Sequence, residues 1–224
     1  IILFKIIAQH YVEQYSFLNL FNFITFRVGA SILTALFFSL IFGQYIINKI
    51  SNIQPIGQPI RNDGPENHII QKAGTPTMGG LLIILSVVIS LVLWSDLQNT
   101  FVWIGFLTLF VFGFIGFVDD YNKIKSNSSN GLKARTRIVL QIFFALMISI
   151  LVINNLNDQI NTTISFPFFK NLIVNFGYFY FIISLFIIVG SANAVNLTDG
   201  LDGLAIVPVM RVAMTFAFIA YVSG

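Results

Sequence analysis

Five long stretches without a charged side chain constrain this chain more than any other feature of it. Residues 28–48, 73–95, 97–118, 138–157 and 171–198 contain no Asp, Glu, Lys or Arg. Roughly 20 apolar residues cross the hydrocarbon core of a bilayer as a helix, so each stretch is long enough to span. A sixth, residues 204–221, carries Arg211 within it. On insertion scales a central Arg costs about 2.5–3.5 kcal/mol, which snorkelling to the interface relieves. The reading is an all-α polytopic membrane protein with about six transmembrane helices, forming a single membrane domain over residues 1–224. Composition excludes an ordinary soluble domain: 56% of residues are hydrophobic, 9% are charged, and mean hydropathy is +0.85.

The placement of charge predicts an orientation. Residues 121–137 hold Lys123, Lys125, Lys133, Arg135 and Arg137, and residues 49–72 hold Lys49, Arg61 and Lys72. The positive-inside rule makes both segments cytoplasmic loops, with the connections at 94–100 and 154–171 and the N-terminus outside. Topology accounts for this basic charge, so no nucleic-acid partner is expected. With no cysteine in the chain, disulfides and thiolate metal sites are excluded. The first 17 residues are interrupted by Lys5, His10 and Glu13 and read as an interfacial helix. The segment "TTISFPFF" at 162–169 reads as a short surface strand or hairpin.

Three motifs concentrate polar chemistry at span ends. In "SANAVNLTDGLDGLA", Asn196, Asp199 and Asp202 recur every three residues, which on a continuing helix lines them along one edge. A first-turn helix cap is the simpler alternative for such an Asp. In "GFVDDYNKI", Asp119 and Asp120 close an apolar run and enter the same cytoplasmic side. Carboxylates that meet there repel one another unless a cation lies between them. Mg2+ suits that role, since it takes a few carboxylates together with phosphate oxygens and water. In "RNDGPENHIIQKAGTPTMGG", Thr75 is placed to cap a helix beginning at Pro76. Lys72 beside that helix start offers a cation and free N–H groups to an anion, with Thr75 and Thr77 adding hydroxyls. Acids for a metal and a lysine for phosphate on one membrane face suit phosphoryl transfer between a lipid-borne and a soluble substrate.

Those three motifs, in that order, closely resemble the phospho-N-acetylmuramoyl-pentapeptide transferases, the MraY family. The aspartate pair alone would indicate the wider superfamily of polyprenyl-phosphate N-acetylhexosamine-1-phosphate transferases, and "GTPTMGG" with "RNDGPE" narrows it. The resemblance, which includes "FITFR" at 23–27 and "PFFK" at 167–170, implies a ten-helix enzyme of the bacterial inner membrane. It transfers phospho-MurNAc-pentapeptide from UDP-MurNAc-pentapeptide to undecaprenyl phosphate, with Mg2+, and releases lipid I and UMP. It implies that Asp119, Asp120 and Asp202 are catalytic, with Asp119 deprotonating or orienting the lipid phosphate. It further implies that Lys72, Thr75, Thr77, Asn196 and Asp199 bind substrate, and that Asp120 and Asp199 ligate the metal. Membrane lipids are further partners, and a homodimer is left open.

Family members continue beyond this point with four more helices, a metal-binding aspartate in a "GDVGS"-type segment and a histidine-rich segment. The expectation is therefore a truncated part of the enzyme, inactive alone. A sister transferase using UDP-GlcNAc and an ion-coupled transporter with membrane carboxylates are the competing readings.

Overall fold

The computed structural model describes residues 11, 15–54, 57, 75–126, 131–156, 162–166, 169, 172–199 and 204–223. Among these residues, six apolar helices follow one another, as the uncharged stretches predict: α1 (Ile24–Ile53), α2 (Gly80–Trp94), α3 (Thr100–Ser126), α4 (Ala134–Asn155), α5 (Phe179–Thr198) and α6 (Ile206–Ser223). Five are long and apolar enough to cross a membrane, and α2 is shorter. The protein is a multi-pass membrane protein. A 3-10 helix, Ser16–Asn22, precedes α1; the rest of the expected interfacial helix lies mostly outside the described residues.

Helix lengths depart from the uncharged stretches for local reasons. At 1.5 Å per residue, the 30-residue α1 and 27-residue α3 run to about 45 and 40 Å, well beyond a hydrocarbon core of about 30 Å. The 15-residue α2 reaches only about 22 Å. It starts at Gly80 and not at Pro76, about one turn later, because Met78 adopts a φ of 73°, a left-handed conformation that interrupts an α-helix.

The chain forms two compact units, Ile1–Leu140 and Gln141–Gly224. In the first, α1, α2 and α3 pack in sequence as antiparallel neighbours. Hydroxyls make the α1–α2 seam: Ser39 and Ser86 share a hydrogen bond at 2.9 Å, Ser90 Oγ donates to the Ser31 carbonyl at 2.7 Å, and Trp94 Nε1 donates to Thr34 Oγ1 at 2.9 Å. Ser86 and Ser90 are buried. Hydrophobic exclusion gives little drive between helices in lipid, so small residues and interhelical hydrogen bonds hold such seams. On the other side of α2, Gly113 of α3 leaves the space that Ile84 fills; a Cβ at 113 would come within 2.6 Å of Ile84 Cδ1.

In the second unit, α4 and α5 are joined by two polar pairs. Ser149 and Ser184 hydroxyls meet at 2.8 Å, and Asn193 Nδ2 donates to Gln141 Oε1 at 2.7 Å. Between these helices lies the expected hairpin, β1 (Thr163–Ser165) antiparallel to β2 (Ile173–Asn175), with Ile164 opposite Val174. Neither α5 nor α6 has a buried residue, and Arg211 on α6 is exposed.

Candidate active site

Antiparallel order brings three distant pieces of sequence to one end of the first unit: the C-terminus of α1, the approach to α2 and the last turns of α3. Gln54 follows α1 as its C-cap, and its own N–H bonds back to the carbonyls of Ile50 and Ser51. Its side chain is buried at 4% exposure, and Oε1 accepts the backbone N–H of Thr77 at 2.9 Å. The Thr77 hydroxyl donates to Asp120 Oδ2 at 3.0 Å. A buried amide, a backbone turn and a hydroxyl thus form one chain of bonds ending on a carboxylate.

Asp119 and Asp120 do not end their helix, as the apolar run suggests, because α3 continues to Ser126. That extension has a consequence. Lys123 lies one turn on, at the i+4 and i+3 spacings that place side chains over one another. Its Nζ is 2.7 Å from Asp119 Oδ2 and 3.0 Å from Asp120 Oδ1. Two adjacent carboxylates therefore share one ammonium, which removes much of their mutual repulsion. The remaining oxygen of Asp119, Oδ1, accepts the Leu132 N–H at 2.8 Å. Asp119 is buried at 5% exposure with partners on both oxygens, whereas Asp120 and Lys123 remain more than a quarter exposed. Asp119 is thus the buried acid of the pair and Asp120 the more accessible one.

Several expectations need correction. Thr75 does not cap a helix starting at Pro76; α2 begins at Gly80 with Gly79 as its N-cap and no side-chain capping bond. The left-handed Met78 separates Thr75 from the helix, and Thr75 itself is exposed. The helix that carries Asn196 does not continue through Asp199. α5 ends at Thr198, and Asp199 is its C-cap with φ −76° and ψ 48°, so the helical register that holds Asn196 is lost at Asp199. Nor is Asp199 a first-turn cap, since it stands at the C-terminal end, where the helix dipole disfavours a carboxylate. Asn196 and Asp199 are both exposed. The 121–137 basic segment is largely helical, with Lys123 and Lys125 on α3 and Arg135 and Arg137 on α4. Lys72 and Asp202 lie outside the described residues.

Among the described residues, no group of three or more His, Asp and Glu side chains is placed to hold a metal. The aspartate pair nevertheless matches the chemistry of Mg2+, which binds through one or two carboxylates and completes its shell with water and phosphate oxygens. Sequence reasoning missed Gln54, Lys123 and the Leu132 N–H as parts of this site. For Lys123 the signal was present in its spacing from the two acids; for Gln54 nothing in the sequence marked it.

Comparison with known proteins places this geometry in a family. Residues 102–224, which include the aspartate pair and Lys123, match the model of glycosyl transferase family 4. The chain belongs to that family. Residues 72–84, which contain Thr77, match signature 1 of the phospho-N-acetylmuramoyl-pentapeptide-transferases. Two similar members carry that description. One, from Pelagibacter ubique (strain HTCC1062), is 48% identical over 223 residues, covering 99% of this chain and 61% of the relative. The other, from Gluconobacter oxydans (strain 621H), is 45% identical over 222 residues, again covering 99% and 61%. The chain thus spans about 61% of the length of these curated relatives.

Proposed function

We propose that the protein transfers phospho-MurNAc-pentapeptide from UDP-MurNAc-pentapeptide to undecaprenyl phosphate, yielding lipid I and UMP in peptidoglycan synthesis. One observation carries this reading: Thr77, inside the transferase signature, bonds directly to Asp120 of the family's aspartate pair. The signature is thereby part of the carboxylate site and not an isolated likeness of sequence.

In this reading a lipid phosphate oxygen forms a bond to the β-phosphorus of the nucleotide sugar, and the bridging P–O bond to UMP breaks. Asp120 is the carboxylate that would hold Mg2+, and the resemblance implies Asp199 and Asp202 on the nucleotide side. Mg2+ held there would supply neutralisation of phosphate charge, and such transfers are accelerated chiefly by charge neutralisation and positioning. Lys123 balances the two carboxylates before substrate enters and offers its ammonium to a phosphate oxygen afterwards. Thr77 fixes the direction of the Asp120 carboxylate. Lys72 and Thr75 remain proposed phosphate contacts.

The partners of the carboxylate oxygens favour direct attack by the lipid phosphate over an aspartyl intermediate. Each oxygen already accepts a hydrogen bond or faces Lys123, which lowers its nucleophilicity. A phosphate monoester, with a second pKa of about 6, is largely dianionic at neutral pH and needs no strong base. Asp119 accordingly orients, through Lys123, and does not take the proton. By the positive-inside rule the site faces the cytoplasm and the N-terminus lies outside, in a bacterial inner membrane.

Substrate choice tests the proposal. In the full-length protein, Mg2+-dependent UMP release should occur with UDP-MurNAc-pentapeptide and undecaprenyl phosphate, and excess UDP-GlcNAc should not compete. Release with UDP-GlcNAc alone would assign the protein to a sister transferase.

A further inference from the structure

The carboxyl group of Asp119 is confined by backbone as well as by charge. Gly131 lies against it so closely that a Cβ at this position would fall 2.6 Å from Asp119 Cγ and 2.8 Å from Oδ2, and closer still to Oδ1. Carbon atoms rest in contact at about 3.5–4.0 Å, so a methyl group cannot fit while the carboxylate stays where it is. The φ of Gly131 is not in the left-handed region, which makes the requirement one of space and not of backbone conformation. The next residue, Leu132, supplies the N–H that Asp119 Oδ1 accepts. The carboxylate has little freedom to give way, because its other oxygen is held by Lys123 at 2.7 Å.

We infer that Gly131 is a positioning residue for the transfer reaction: the absence of its side chain lets the Leu132 amide seat Asp119, which fixes Lys123 and with it the orientation of Asp120. The effect passes along a short series of bonds. Gly131 admits the Leu132 N–H to Asp119 Oδ1, Asp119 Oδ2 holds the Lys123 ammonium, and the same ammonium touches Asp120 Oδ1 at 3.0 Å. Displacing Asp119 moves the cation shared by both acids. A methyl group at Gly131 therefore disturbs the reacting centre through Asp119, the side chain it would meet. This inference rests on the proposed function for its kinetic consequence and on geometry alone for its structural one.

The experiment is a double-mutant cycle on the intact protein in detergent, reading thermal midpoint and UMP-release kinetics. Gly131→Ala should lower the midpoint in the wild-type background and in Asp119→Asn, whose amide is as bulky as the carboxylate. The penalty should vanish in Asp119→Ser, where the group that collides is gone, because coupled residues give non-additive effects. Asp119→Ala serves the same comparison if the serine variant does not fold. In the wild-type background, Gly131→Ala should reduce kcat about tenfold or more while leaving the KM for the nucleotide sugar within about threefold. An equal loss of midpoint in every background would show that Gly131 serves the backbone and not Asp119, overturning the inference, as would an unchanged kcat. If the wild-type protein lacked transferase activity, the function would fail, while the thermal cycle would still decide the role of Gly131.

Discussion

The hydroxyl of Thr77 and the carboxylate of Asp120, 43 residues apart in sequence, are joined by a 3.0 Å hydrogen bond. It ties the approach to α2 to the last turns of α3 and aims the more exposed of the two acids. A hydrogen bond to a charged group is worth about 1.5–3 kcal/mol, which corresponds to roughly tenfold to a hundredfold in rate if it is needed in the transition state. Thr77→Val, which keeps the shape and removes the donor, should lower kcat by that range. Thr77→Ser should stay within about threefold of wild type. Initial rates of UMP release check both.

Gln54 holds the other end of that bond chain through the Thr77 N–H. Gln54→Leu leaves a backbone donor without its buried acceptor, at an expected cost of about 1–3 kcal/mol in stability. Gln54→Glu keeps an acceptor oxygen at the same place and should lose less. Thermal unfolding in detergent separates the two, and equal losses would show that the Thr77 N–H is not what Gln54 serves.

Much of the fold was legible in the sequence because hydrocarbon imposes a simple rule of length and charge. Five of the six apolar helices fall where the uncharged stretches lie and the sixth on the stretch that carries Arg211, and the β1–β2 hairpin begins within the segment read as a strand or hairpin. Helix ends were less legible. The left-handed Met78 moved the start of α2 from Pro76 to Gly80, and no local rule predicts that a methionine takes this conformation. The candidate site was half legible: Asp119, Asp120 and Thr77 stood out by residue type, whereas Lys123 was missed although its spacing from the two acids carried the signal. Gln54 and Gly131 reach the site through packing between segments distant in sequence, which periodicity along one helix does not reveal.

Polar pairs inside the second unit should behave asymmetrically under mutation. Asn193 Nδ2 donates to Gln141 Oε1 at 2.7 Å, and Gln141 is buried. Asn193→Leu alone leaves a buried amide without its partner and should destabilise by about 1–3 kcal/mol. The double substitution Asn193→Leu with Gln141→Leu removes both groups and should recover most of that loss. A denaturation series on the three variants checks the recovery.

The absence of cysteine from the sequence makes sidedness directly measurable. Gln98→Cys, in the connection between α2 and α3, should react with a membrane-impermeant maleimide added to intact cells. Ser126→Cys, at the end of α3, should react only after the membrane is opened. The reverse pattern would invert the proposed topology and place the aspartate pair outside.

The central claim is that Asp120 holds the metal in phosphoryl transfer while Lys123 and Thr77 orient it. The measurement that tests it most directly is a Mg2+ titration of UMP release from UDP-MurNAc-pentapeptide, comparing the wild-type protein with Asp120→Asn. The account predicts activity that EDTA abolishes and Mg2+ restores in the wild type. In Asp120→Asn it predicts a loss of at least about a hundredfold that raised Mg2+ only partly restores. An Asp120→Asn protein with wild-type turnover and an unshifted Mg2+ response would contradict it.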